Sequence, residues 1–215
     1  DFEDFIERID ELIHTPDLDP EIYFDFNRRD PYSGTISAPY RMDCALTYRL
    51  PAGTDPEYAP GKRVERELPT SEWKQILDKC WNAGIPHIIF TGGEPTLRDD
   101  LPELIHHAEG LGQVSGLLTD GMRFTDRSYL ETILQTGLDH MMINFHPNYQ
   151  QAEGALQNLL KSNIAVVAHL TLTSDNKSSI FEWIERFAEI GLKAISLSTI
   201  STDFSETLIK LRNRA

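Results

Sequence analysis

From residue 38 onward, apolar and polar positions alternate in two different rhythms. Short β-branched runs predict strands over 41–49, 87–91, 114–119, 139–146, 164–173 and 193–199. Between them, apolar residues every three or four positions predict helices over 71–82, 101–111, 127–136, 149–162 and 179–190, with a last helical stretch from Ser205. Thr70 reads as the cap of the first helix, with Glu72 in its first turn. Gly84, Gly112, Gly137 and Gly191 each follow a helix and lead to a strand, which is helix-stop chemistry. Six β/α units in a row predict an α/β fold, a parallel sheet with right-handed crossovers, two units short of a full barrel.

Ahead of this alternation, Phe2, Phe5, Ile6, Ile9, Leu12 and Ile13 recur at helical spacing with acids between them, an amphipathic helix stopping before Pro16. The following stretch, over 17–39, is rich in Pro, Asp, Tyr and Gly and reads as a connector anchored by Tyr23, Phe24 and Phe26. The expected organisation is therefore an N-terminal helix and connector over 1–37 and a (β/α)6 partial barrel over 38–215.

The most informative stretch runs from Ile88 to Leu97: a strand, Gly92-Gly93-Glu94-Pro95, then Thr96-Leu97 and a polar lead into the next helix. Paired glycines remove side chains so that main chain can approach a bound molecule. Glu94 puts a carboxylate at the carboxyl end of a strand, where α/β folds bind their ligands. Pro95 removes a donor and stiffens the exit. The set suits a small ligand carrying an ammonium group.

Strand parity sketches a polar wall below this turn. Thr119 closes the third strand, and Asn144 and His146 share a face of the fourth. His169, Thr171 and Thr173 share a face of the fifth, as do Ser196 and Ser198 on the sixth. His146 and His169 could begin a metal site, but without a third ligand they read better as hydrogen-bonded pocket histidines. His106 and His107 fall mid-helix as partly exposed surface residues.

Composition narrows the function classes. The 215 residues suffice for one domain with a substantial core. Acids outnumber bases 34 to 20, giving a net charge of −14 that disfavours a nucleic-acid partner. No apolar run approaches membrane-spanning length and no signal peptide is visible, so no membrane partner is expected. The chain opens on Asp1 rather than Met, which reads as a trimmed or excised fragment. Two cysteines, Cys44 and Cys80, exclude a disulfide framework and suit a reducing cytoplasm.

The Gly-Gly-Glu-Pro turn, the Thr-Leu after it and Thr119-Asp120-Gly121 at the end of the next strand together resemble the radical S-adenosylmethionine (SAM) superfamily. The resemblance covers the span from Ala38 to Ile200. It implies a six-unit partial TIM barrel and a SAM pocket in which Gly92, Gly93, Glu94 and Pro95 hold the amino group of the methionine moiety. Thr119, Asp120, Asn144, His146, His169 and Ser196 are the expected remaining cofactor-binding residues.

The family also carries Cys-x3-Cys-x2-Cys after the first strand, three thiolates on a [4Fe-4S] cluster whose fourth iron chelates SAM. Reduction then yields a 5′-deoxyadenosyl radical. Many members end that strand Leu-Thr-Tyr-Arg, as this chain does at Leu46-Thr47-Tyr48-Arg49, and Tyr58 stands where an aromatic follows the third cysteine. In that frame Leu50, Thr54 and Glu57 replace the three cysteines. Leucine has no donor, and Thr and Glu offer hard oxygens poorly matched to iron–sulfur clusters. A frame starting at Cys44 keeps one cysteine, with Tyr48 and Pro51 next, but loses the Thr-Tyr-Arg match. Cys80 sits mid-helix and reads as a buried structural residue.

The first expectation is thus a cluster-free binding or regulatory domain, or an inactive homologue (a pseudoenzyme), binding SAM, a related nucleotide, an amino acid or a peptide. The alternative is a radical SAM enzyme whose cluster ligands are non-standard, supplied by a partner protein, or altered from cysteine in this chain. A third possibility is cluster-free acid–base catalysis with His146 or His169 as base, although the sequence shows no nucleophile–base pairing.

Overall fold

The structure is a computed structural model and describes residues 38–52, 66–147, 149, 151–199 and 201–213. The expectations for 1–37, and for Thr54, Glu57 and Tyr58, lie outside the described residues. Six strands form one parallel sheet in sequential order: β1 (Arg41–Thr47), β2 (His87–Gly92), β3 (Val114–Thr119), β4 (His140–Asn144), β5 (Ala165–Leu172) and β6 (Ile195–Thr199). Helices α1 (Thr70–Asn82), α2 (Leu101–Leu111), α3 (Arg127–Leu134), α4 (Ala152–Leu160) and α5 (Ile180–Glu189) connect them, and α6 (Ser205–Arg212) follows β6. β1 and β6 are the two edges of an open sheet, the partial barrel the alternation predicts.

Burial separates the two faces of the sheet. On the helix side Leu46, Phe90, Leu117, Met141, Ala168 and Leu170 pack against helix residues such as Leu77, Leu104, Ile133, Leu156 and Phe187 in one apolar core. The other side is only partly covered, which is why polar residues can be held there. Register aligns Asn144 with His169 and His169 with Ser196, so these three form one row across β4, β5 and β6.

Element ends differ from expectation in ways that have causes. β1 stops at Thr47, not at residue 49, and its register with β2 shifts between Ala45 and Thr47. β4 stops at Asn144, leaving His146 beyond the strand; Phe145 continues the pairing through its N–H to His169 O at 2.9 Å. α3 ends at Leu134 and α4 spans only Ala152–Leu160, shorter than the patterns suggest. Thr70 does not cap α1: Pro69 occupies that position, and the Thr70 hydroxyl donates to Asp100 Oδ2 at 2.5 Å. Gly112 ends α2 in the left-handed region at φ 87°, as helix-stop glycines do. Among the described residues no helix is long and apolar enough to cross a membrane.

Candidate functional site

The turn after β2 is built against the exit of β1. Gly93 N–H donates to Thr47 O at 2.7 Å and Glu94 N–H to Arg49 O at 2.8 Å, so pairing continues past the last strand residue. A β-carbon on Gly92 would meet Thr47 O, and one on Gly93 would meet Arg49 O, both closer than 3.0 Å. The two glycines therefore also admit the protein's own main chain, a close approach the sequence does not reveal. Gly92 also has φ +132°, outside the range L side chains adopt easily.

Glu94 is 3% exposed and organises the turn. Its Oε1 accepts from Thr96 N at 2.9 Å, Thr96 Oγ1 at 2.6 Å and Thr119 Oγ1 at 2.7 Å, while Oε2 accepts from Asp120 N at 2.8 Å. The carboxylate thus ties the end of β2 to the end of β3. Burial, then the charge of neighbouring Asp120, pushes its pKa up to about 7, against the opposing hydrogen bonds. Burial raises Asp120 as well. Pro95 starts the 3-10 turn Pro95–Leu97 behind Glu94 and is buried.

Thr119 is part of this support and not of the concave wall. It shares the parity of Leu117 and points to the helix side, while Leu118 takes the concave position. The wall itself assembles from Asn144, His169, Thr171, Ser196 and Ser198. His169 Nδ1 lies 2.9 Å from Ser196 Oγ, its Nε2 lies 3.0 Å from Ser198 Oγ and 3.4 Å from Thr171 Oγ1, and the last two hydroxyls are 3.1 Å apart. Burial lowers the His169 pKa and so favours the neutral ring, in which one nitrogen donates and the other accepts. His146 is lowered by the same cause, and its ring packs on Tyr149 with centroids 4.8 Å apart. Among the described residues no group of three His, Cys, Asp or Glu side chains is placed to hold a metal. His106 is exposed and His107 bonds Asp78 Oδ1 at 2.8 Å on the helix surface.

Sequence reasoning missed the cations that hold the site. Arg98, 6% exposed, grips Asp100 with Nε at 2.8 Å and Nη2 at 2.6 Å, and its Nη1 donates to Leu46 O and Leu68 O, each at 3.1 Å. Glu67 accepts the Thr47 hydroxyl and approaches Arg49 Nε at 3.4 Å and Arg98 Nη1 at 3.8 Å. Arg123 donates to Thr96 O and lies 4.0 Å over the Tyr129 ring. The Arg-x-Asp spacing was the available signal, but the carbonyl partners are distant in sequence.

The cysteines stand apart from this site. Cys44 is within β1, 2% exposed, on the helix side, and burial pushes its thiol up to about 12. Cys80 is in α1, 5% exposed, with Sγ 3.6 Å from Met42 Sδ. Neither lies in the loop after β1, and a [4Fe-4S] cluster takes three or four thiolates. The side chains of this chain, with Leu50 directly after Arg49, do not fit that group.

An open parallel sheet of six β/α units with a Gly-Gly-Glu-Pro turn at its carboxyl rim defines the class of protein: an α/β domain of the partial-barrel type. The radical SAM superfamily profile matches residues 44–161, and the chain belongs to that superfamily. In fold it is similar to SuiB of Streptococcus suis solved bound to S-adenosylmethionine, with TM-score 0.67 at 14% identity over 83% of this chain and 47% of that one. SuiB bound to the precursor peptide SuiA gives TM-score 0.67 at 15% identity, covering 83% and 46%. Native anSMEcpe with bound AdoMet and the Kp18Cys peptide gives 0.62 at 12% identity, covering 74% and 50%. The chain thus spans about half the length of these proteins.

Proposed function

We propose that this domain binds SAM or a closely related adenosyl or amino-acid ligand without holding an iron–sulfur cluster on its own side chains. It then acts as a binding or regulatory module, or as the inactive member of an assembly. The observation that carries the reading is a contrast. The Gly92-Gly93-Glu94-Pro95 turn is intact and fully braced, while the two cysteines of the chain are both buried on the helix side.

In this reading Glu94 Oε2, which accepts one hydrogen bond among the described contacts, and the turn's main chain receive the ligand's ammonium group. Asn144, His169 and Ser196, aligned in one row, offer neutral donors and acceptors to hydroxyls of the ligand. His146 lies past the end of β4, near the rim. Where SAM is held in the family partly by iron, here protein groups alone hold it, so binding is weaker. The neighbours solved with peptides support a peptide or small molecule as the second ligand.

Two measurements test this. Anaerobic reconstitution with iron and sulfide is expected to leave the protein colourless, and calorimetry with SAM is expected to give saturable heat. A brown protein with about four irons per chain would overturn the cluster-free reading. Absence of heat would remove SAM as the ligand. Membership of the superfamily favours a second reading, a radical SAM enzyme whose thiolates come from a partner chain. Cluster uptake only in the presence of such a partner would select it.

A further inference from the structure

The half-barrel carries a second cluster of titratable groups at its amino-terminal rim, the opposite end of the strands from the Gly92–Gly93 turn. His87 opens β2 and His140 opens β4, and β3 runs between them. The rings reach each other across β3 because Gly116 has no side chain. A β-carbon there would come closer than 3.0 Å to His140 Nε2 and to Ile89 Cδ1. With that space free, the imidazoles meet edge to face, centroids 5.0 Å apart and planes at 60°. His87 Nε2 is buried and has no hydrogen-bond partner among the described residues.

Among the described residues the charged groups around the pair are few. β1 contributes Arg41 and Asp43, bonded to each other at 2.6 and 2.8 Å. Asp139, just before β4, accepts Ser115 N at 2.7 Å. Burial lowers the His87 pKa, and the like charges of His140 and Arg41 add to it, against Asp43 and Asp139. Burial lowers His140 too, with Arg41 adding and Asp139 opposing.

We propose that His87 and His140 form an acid-sensitive latch across β3. As neutral rings they close the gap over Gly116; as cations they repel, and the amino-terminal rim between β2 and β4 opens. The latch is independent of the ligand reading above, which concerns the other end of the sheet.

Both folded-state pKa values lie below the free imidazole value of about 6.5, so the open state binds more protons. The closed form is therefore favoured fully above that pH and loses its advantage as pH falls through the folded values. Glu94 acts in the opposite sense, since its protonation on acidification favours the folded state. A global melt would mix the two, and the test must be local.

Amide hydrogen exchange over 87–91 and 114–118, corrected for intrinsic rates, is compared at pH 7 and pH 5 together with the imidazole Cε1–H titrations. Both rings are expected to titrate below about 6.5, and exchange to rise about tenfold for each pKa unit of depression. His87→Gln and His140→Gln should each remove most of that rise. Rings titrating at or above about 6.5, unchanged exchange, or a rise that persists in both variants would overturn the latch. Should a variant fail to fold, the unaltered chain decides: exchange over 87–91 and 114–118 must rise with the midpoint at which the rings titrate, and a rise at any other pH overturns the latch.

Discussion

Gly93 lies so close to Arg49 that a side chain on one would occupy the space of the other's carbonyl oxygen. The contact is fixed by hydrogen bonds on both sides of it, from Gly93 N to Thr47 O and from Glu94 N to Arg49 O. The clash in Gly93→Ala is against backbone and not against a side chain that could rotate away. Overpacking of this kind costs about 1–3 kcal/mol. The variant is expected to melt at lower temperature and to lose SAM heat, because the exit of β1 and the turn must part. An unchanged melt together with unchanged binding would contradict the close approach.

In the proposed site, Glu94 would give ligand binding a pH dependence with a definite sign. Its pKa is raised by burial and by Asp120 to about 7, so near neutrality the protonated form is well populated. A cationic ligand beside the carboxylate favours the ionised form and must displace that proton. Affinity for SAM is therefore expected to rise with pH up to about 7 and then level off, with up to tenfold per pH unit below that value. For stability the sign is reversed: the raised pKa contributes stability that is full below the unfolded value and is lost as pH rises through about 7. Calorimetry in two buffers of different ionisation enthalpy measures the released proton, and Glu94→Gln should abolish both the release and the slope. Binding that is flat between pH 6 and pH 8 would show that no cation meets Glu94.

Arg98 is the buried clamp of the same region. It joins Asp100 to the carbonyls of Leu46 and Leu68, and so ties the exit of β1 to the start of α2. Arg98→Lys keeps the charge but cannot present the planar fork, leaving Asp100 and one carbonyl short of donors. Breaking a buried pair in this way costs about 3–5 kcal/mol, and the partial retention of charge puts the expected loss in denaturant titration near the lower end. A loss below about 1 kcal/mol would mean that the clamp is dispensable.

Much of this was legible in the sequence, for identifiable reasons. Period-two and period-3.6 patterns bury Leu46, Phe90, Met141 and Leu170 on one side of the sheet, and these patterns locate the six units directly. The same parity places Asn144, His169 and Ser196 in one row, because register in a parallel sheet preserves it. Parity alone does not place Thr119, since its own strand has the opposite phase, visible only once Leu117 is known to face the helices. The apolar pattern extends to His146, but the strand ends two residues earlier. The reason for Gly92 and Gly93 was half hidden, because a sequence shows that a close approach occurs but not which chain makes it. The Arg98 clamp was hidden altogether, since its carbonyl acceptors are 52 and 30 residues away.

The alignment of the loop after β1 leads to the last prediction. Leu46-Thr47-Tyr48-Arg49 matches the family's strand end, and Arg49 O is bound by Glu94 N, which brings Leu50 beside the turn where the first thiolate is expected. If Leu50, Thr54 and Glu57 are the replaced cysteines, then Leu50→Cys, Thr54→Cys and Glu57→Cys together restore three thiolates at the spacing a [4Fe-4S] cluster needs. The triple variant is expected to take up about four irons and four sulfides on anaerobic reconstitution and to turn brown, while any pair of the three gives unstable or no cluster. Its SAM affinity should rise above that of the unaltered chain, since an iron would again bind the methionine end. A colourless triple variant that still folds and still binds SAM would show that the loop does not present these positions to one cluster. The frame beginning at Cys44 would not then take over, because that thiol is buried within β1 on the side of the sheet away from the concave face.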